Sequence, residues 1–173
     1  VNLGQIFLLG VLSVFLSSCG GIAMSGISHR RSNAATSARV LKLVNGERAK
    51  RGLAPVRSDD GLRLMAEDHA IDLAATVDPT RGKPSRQTAH RGFDRRAREA
   101  TRKGYLVLAE VVMIGYAGDL NAVARRTVRG WLGSWSHRTA ILDGDRRIMG
   151  ISTRIMADGR YFVVGLLSNG RSR

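Results

Sequence analysis

The sequence predicts an α+β domain in which helices come first and antiparallel strands, interleaved with one further helix, come after. Three features predict it. Leu62, Met65, Ala66, His69, Ala70, Leu73 and Val77 form an apolar stripe with a period near 3.6 residues. Tyr105 to Ile114 is an apolar, β-rich run interrupted by one acid, Glu110. Asp158-Gly159 separates two strand-like segments, about 147–156 and 161–167. That dipeptide suits a tight hairpin, because glycine adopts positive φ at little cost. The chain has 173 residues, 43% of them apolar, which allows one packed domain and argues against global disorder.

The elements follow in order. Ile6 to Leu16 is an apolar run, too short to span a bilayer but suited to the core of a signal peptide. It ends in Leu16-Ser17-Ser18-Cys19-Gly20, which resembles a bacterial lipobox, although Val1 to Gln5 carries no Lys or Arg. Residues 1–18 are therefore expected to be a cleaved leader. By that resemblance Cys19 takes the lipid and anchors the chain to a membrane, on the extracytoplasmic side of a cell envelope. Several acyl chains hold better than one, since each buried CH₂ adds about 0.8 kcal/mol. Cys19 is also the single cysteine, so the sequence offers neither an intrachain disulfide nor a thiolate metal cluster.

Residues 19–36 are rich in Gly, Ser and Ala and read as a flexible linker. Residues 37–170 hold the domain. A first helix is expected from about Ser37 to Arg51, with Leu41, Val44 and Arg48 at helical spacing and Gly52 as its stop. Asp59 or Asp60 caps the striped second helix, which ends at Asp78-Pro79. Asp78 to Gly92 reads as a polar loop, and its length points to function or mobility. Phe93 to Lys103 reads as a short basic helix closed by Gly104. Asp119 caps a helix with Leu120, Val123, Ala124, Val128, Trp131 and Leu132 on one face. Gly133 to Asp145 is expected to be irregular.

Charge narrows the partners. Twenty-eight Lys and Arg against 14 Asp and Glu give a formal net charge of +14. Such an excess favours anionic surfaces: lipid head groups, phosphorylated glycans or nucleic acid. Export removes nucleic acid from reach, and the basic segment from Arg91 to Lys103 carries no recognisable nucleic-acid motif. That segment either presses on anionic lipid or glycan, or is a solvated helix face.

Three residues carry the candidate chemistry: His90 in the long loop, Glu110 inside an apolar strand, and His137 in Trp131-Leu132-Gly133-Ser134-Trp135-Ser136-His137-Arg138. A carboxylate in an apolar strand costs free energy unless it is paired. An imidazole is one such partner, and two imidazoles can share a divalent metal. Plainer roles stand beside these, with His90 bracing its loop, His137 bracing the turn near Ser134, and Glu110 pairing with an arginine such as Arg138. His69, on the apolar stripe, reads as a structural histidine. Trp131 lies on a helix stripe and reads as core, whereas Trp135 is loop-borne and suits a ligand-stacking role. Ser134 or Ser136 beside His137 does not amount to a serine hydrolase, because no nucleophile-elbow sequence surrounds either.

Several segments follow one another in order: Asn45-x-x-Arg48-x-x-x-Gly52-Leu53-x-Pro55, Leu62-x-x-x-Ala66-x-x-His69-Ala70, His90-x-Gly92, Gly104-Tyr105, Ala109-Glu110, and Trp131 with Ser134-x-x-His137-Arg138-x-x-Ile141-Leu142. Together they resemble the CAP superfamily, which includes cysteine-rich secretory proteins, antigen 5 and plant pathogenesis-related class 1 proteins. The likeness runs from about Ala38 to Leu167 and is strongest to bacterial single-domain members. It implies an α-β-α sandwich with a central antiparallel sheet flanked by helices and a large cleft. It places His90, Glu110 and His137 in that cleft and lets His90 and His137 hold zinc or another divalent cation; Ser134 and Trp135, next to His137 in sequence, are added as candidate cleft residues. Two departures stand out: Val111 follows Glu110 where the family usually has Asn, and no second acid is evident between Asp143 and Ile151. The expected function is a membrane-tethered domain binding a lipid or an anionic envelope glycan. The alternatives are a metal-dependent envelope hydrolase with Glu110 as catalytic base, and a surface interaction protein with a vestigial cleft.

Overall fold

The computed structural model describes residues 20–82, 84–117 and 119–172, with backbone alone for 20–31, 80, 120 and 121. The expected leader and the lipid site at Cys19 lie outside the described residues. Helix α1 spans Gly20–Ala49, strand β1 Arg57–Ser58 and helix α2 Asp60–Thr76. A 3₁₀ turn at Pro79–Arg81 leads to α3 (Arg86–Ala89), α4 (Phe93–Arg102) and strand β2 (Tyr105–Tyr116). Helices α5 (Leu120–Gly133) and α6 (Trp135–Leu142) precede β3 (Ile148–Ile155) and β4 (Arg160–Arg171). Among the described residues, no helix is long and apolar enough to cross a membrane.

The four strands form one sheet in the order β1-β3-β4-β2. Both long pairings, β2 with β4 and β3 with β4, are antiparallel, and Gly159 makes the β3–β4 turn with φ +87°. Side-chain alternation sends the two faces of the sheet into two cores. One core holds Val111, Met149, Val163 and Leu167 against Val40 and Val44 of α1, Val123 and Trp131 of α5 and Ile141 of α6. The other holds Val112, Phe162, Val164 and Leu166 against Leu62, Met65, Ala66, Ala70 and Leu73 of α2 and Ala100 of α4. Helices therefore cover both faces, the sandwich that the resemblance implies.

Asp59 caps α2, its carboxylate accepting the Leu62 N–H at 2.8 Å. The same carboxylate accepts the Tyr105 hydroxyl at 2.6 Å, so one residue starts α2 and ties it to β2. Gly150 lets the two layers meet. A Cβ there would collide with the main chain of Leu62 and Arg63, so β3 and the first turn of α2 approach as only glycine permits.

Three expectations need correction. Residues 20–36 are not a flexible linker but the first half of α1. The segment contains no proline, and its end is docked: Asn33 Oδ1 accepts the Ile155 N–H at 3.1 Å, and Ser37 donates to Thr153 Oγ1 at 2.9 Å. Nor is Gly133 to Asp145 irregular, since α6 occupies 135–142, with Ile141 buried in the core as its anchor. The sheet is also mixed, because β1 runs parallel to β3. That short strand follows from Asn45, whose side-chain amide exchanges two hydrogen bonds with the main chain of Val56 and sets it alongside β3. Arg48 completes the brace. Fully buried, it donates to the carbonyls of Ala54, Ile141, Asp143 and Arg146 and joins α1 to the end of α6.

Candidate functional site

β2 is the last strand of the sheet, so no strand pairs with its outer edge among the described residues. Helix α4 packs on it from one layer and α6 from the other. The candidate residues collect where those layers meet. Glu110 follows the even positions of β2 toward α2 and α4, and its side chain is only 1% exposed. His90 caps the C-terminus of α3, and its Nδ1–H donates to Glu110 Oε1 at 2.9 Å. His137 comes from the first turn of α6, and its ring centroid lies 5.7 Å from that of His90, the planes tilted by 55°. His90 thus bonds to Glu110 and lies beside the ring of His137.

The arginine that holds Glu110 is Arg96, not Arg138. Arg96 Nε donates to Oε2 at 2.7 Å and a terminal nitrogen donates to Oε1 at 2.9 Å, a two-pronged pair with 7% and 1% of the side chains exposed. Arg96 also donates to the Arg91 carbonyl at 2.9 Å, which fixes the α3–α4 junction carrying His90. Arg138 turns away and donates to the Leu132 carbonyl. Glu110 is consequently a charge-paired carboxylate that accepts three hydrogen bonds, two at Oε1 and one at Oε2. A general base needs a lone pair directed at its proton donor, and the one left on Oε2 belongs to a side chain only 1% exposed. The arrangement disfavours the catalytic role expected for Glu110.

His69 is a fourth member that the periodic stripe conceals. Its Nε2–H donates to the Ala89 carbonyl at 2.9 Å, and the same nitrogen lies 3.8 Å from Glu110 Oε1. Burial lowers its pKa, with the attraction of Glu110 only partly opposing that fall. A neutral ring bonded in this way carries its lone pair on Nδ1, which faces Asp72 at 4.0 Å without a hydrogen bond. His69 therefore acts as a strut between α2 and α3 behind the site. Its structural reading stands, with contact to Glu110 added.

Trp135 and Ser134 occupy the start of α6. Trp135 is 74% exposed, two residues from His137, while Trp131 is fully buried in the core. The Ser134 and Ser136 hydroxyls lie 3.3 Å apart. Two imidazoles on one tetrahedral zinc have ring centres roughly 5 Å apart, given Zn–N near 2.0–2.1 Å, so the observed 5.7 Å fits. Glu110, holding Nδ1–H of His90, sits where an outer-shell carboxylate orients a ligating histidine through its other nitrogen. Among the described residues, however, no group of three His, Cys, Asp or Glu could hold a metal ion. A metal there would have only His90 and His137 as ligands among the described residues, with water or bound ligand completing its shell.

The basic segment divides by burial. Arg96 is spent inside on Glu110, Arg91 reaches Asp72 at 3.0 Å, and Lys103 reaches Glu99 at 2.7 Å. Arg95, Arg98 and Arg102 lie on the same helix, and all three are exposed. Arg96, and the contact of His69 with Glu110, are what sequence reasoning missed. The signal for Arg96 was its place four residues before Ala100, a cation on the helix face that also carries the fully buried alanine.

Comparison with known proteins places this geometry in context. The family model described as CAP, cysteine-rich secretory protein family, matches residues 41–167. The fold resembles a cysteine-rich secretory protein from Staphylococcus aureus, with TM-score 0.55 and 19% identity, covering 79% of this chain and 39% of that one. It also resembles an outer surface protein from Borrelia burgdorferi, with TM-score 0.56 and 22% identity, covering 80% of this chain and 94% of that one. NaASP2, solved with Zn²⁺, matches with TM-score 0.51 and 13% identity over 76% of this chain and 78% of that one. The chain thus spans well under half of the Staphylococcus protein. No curated protein matches its sequence significantly.

Proposed function

The chain belongs to the cysteine-rich secretory protein (CAP) family, and on that premise we propose that it is an extracytoplasmic binding domain, anchored through lipid on Cys19, which takes an anionic envelope glycan against the His90–His137 edge. One observation supports the preference for binding over turnover: Glu110 is buried and paired with Arg96 as well as with His90. With its carboxylate neutralised, the site orients an imidazole instead of activating water. His90 keeps Nε2 for a ligand, and Trp135 offers an exposed aromatic face on the helix that carries His137. A ring face beside polar groups suits a sugar better than an acyl chain, and the net charge of +14 favours an anionic one. A divalent cation held by His90 and His137 would supply an electropositive anchor for ligand oxygens. An extracytoplasmic location agrees with the leader-like sequence of residues 1–18 and with relatives described as secretory and outer surface proteins.

The test is calorimetry of the full chain with soluble peptidoglycan fragments and, separately, with anionic phospholipid vesicles. Fragment binding that weakens at least tenfold in Trp135→Ala and in His137→Ala supports the proposal. Vesicle binding alone would assign a lipid ligand. Fragments cut by the wild type and left intact by Glu110→Gln would establish a hydrolase. For the anchor, radiolabelled palmitate should enter the wild type but not Cys19→Ser; equal labelling would remove that part of the account.

A further inference from the structure

The opposite edge of the sheet holds a second feature, independent of the histidine site. β3 is paired by β4 along its length, but on its other side β1 covers only Ile148 and Met149. The Asp59 N–H donates to the Met149 carbonyl on that outer side. Because strand main-chain groups alternate between neighbours, Ile151 and Thr153 direct their N–H and C=O groups the same way. The next outward donor, Ile155 N–H, is taken by Asn33. Between these ends the edge is open: among the described residues no strand pairs with Ile151 or Thr153 on that side, and no side chain bonds to their main chain. Both residues are nevertheless buried, at 6% and 5% exposure. Buried main-chain groups without partners are costly, and water or another chain ordinarily satisfies them.

A cavity of about 870 Å³ lies in front of this edge, between α1 and α2. The open stretch between Met149 and Ile155, residues 150–154, is about 16 Å long at the usual rise per residue, enough for a short strand. Its rim is cationic. Lys42, Arg63 and Arg154 line it against one acid, Glu67, and Glu67 is already paired with Arg63 at 3.1 Å. A second copy of this chain is a poor occupant, because each copy carries +14 and its own edge is recessed between the same two helices. Ala34, Ala38, Leu41 and Ile71 also line the cavity, so an acyl chain is the competing occupant that the test must separate.

We propose that this groove is a peptide-binding site, in which an acidic, extended polypeptide segment adds as a strand to the free edge of β3 between α1 and α2. Main-chain pairing to Ile151 and Thr153 supplies the affinity, and Lys42 and Arg154 select acidic side chains. The occupant is a partner chain, defined by extended backbone and negative charge.

The test is fluorescence anisotropy of the full chain with a labelled nonapeptide of alternating glutamate and valine. Saturable binding is expected, at least tenfold weaker for Lys42→Glu/Arg154→Glu and absent for a lysine–valine peptide. One of the two alternately N-methylated peptides should also fail, since it lacks the donors that face β3. Hydrogen exchange on the wild type provides a readout free of folding effects, with the Ile151 and Thr153 amides slowing when peptide is added. No binding, equal binding by both N-methylated peptides, or binding without slowed exchange at those amides would overturn the proposal. Displacement by oleate with no change at the amides would also overturn it, in favour of a lipid cavity.

Discussion

Replacing Arg96 by methionine removes one half of the buried pair at the centre of the site. Glu110 would then keep His90 as a partner but lose both arginine hydrogen bonds, in a position where 1% of its side chain meets solvent. Breaking a buried pair from one side costs about 3–5 kcal/mol, because a charge is left uncompensated. Domains of this size are stable by about 5–15 kcal/mol, so the variant should lose a large share of its stability. With a urea slope of about 1–3 kcal/mol per molar, the unfolding midpoint should fall by roughly 2 M. Fluorescence will follow the transition, since Trp131 is fully buried while Trp135 is already exposed. Arg96→Met/Glu110→Leu should recover most of the loss, because apolar replacement of both partners is often neutral or better. A midpoint shift below about 0.3 M in the single variant would refute the reasoning. So would a double variant no more stable than the single one.

Other consequences follow from particular contacts. Gly150→Ala should destabilise by about 1–3 kcal/mol or more, read as a lower thermal midpoint, since its methyl group meets the main chain of Leu62 and Arg63 and not a movable side chain. Asp59→Ala should cost about 1–2 kcal/mol in urea melts, from the lost cap on α2 and the hydroxyl of Tyr105 left without its acceptor. The pKa of His69 is lowered by burial, so below about pH 6.5 the unfolded chain takes up a proton that the folded chain resists. Stability should therefore fall with pH below that point, by at most ~1.4 kcal/mol per pH unit from this group. His69→Gln should flatten that part of the profile in urea melts at pH 7 and pH 5; an unchanged slope would remove His69 as its source.

Much of the fold was legible because its signals are local. The stripe from Leu62 to Val77 is wholly buried, Asp59 caps where expected, and Asp158-Gly159 turns the final hairpin. The failures share a physical cause, which is tertiary contact. Composition alone made residues 20–36 look like a tether, but Asn33 and Ser37 find partners on β3, more than a hundred residues away. β1 is two residues long and rests on a side-chain amide, leaving no periodicity to read. At the site, His90, Glu110 and His137 were recognisable by residue type and order. Arg96 was hidden among many arginines, and only burial separates it from its neighbours Arg95 and Arg98.

Nitrogen-15 NMR of the imidazole rings during titration with a soluble peptidoglycan fragment examines the histidine edge itself. The His90 ring should report a proton on Nδ1, held by Glu110, and its Nε2 signal should move together with the His137 signals as fragment is added. A proton resident on Nε2 of His90 at neutral pH, or His90 and His137 signals indifferent to saturating fragment, would contradict the account.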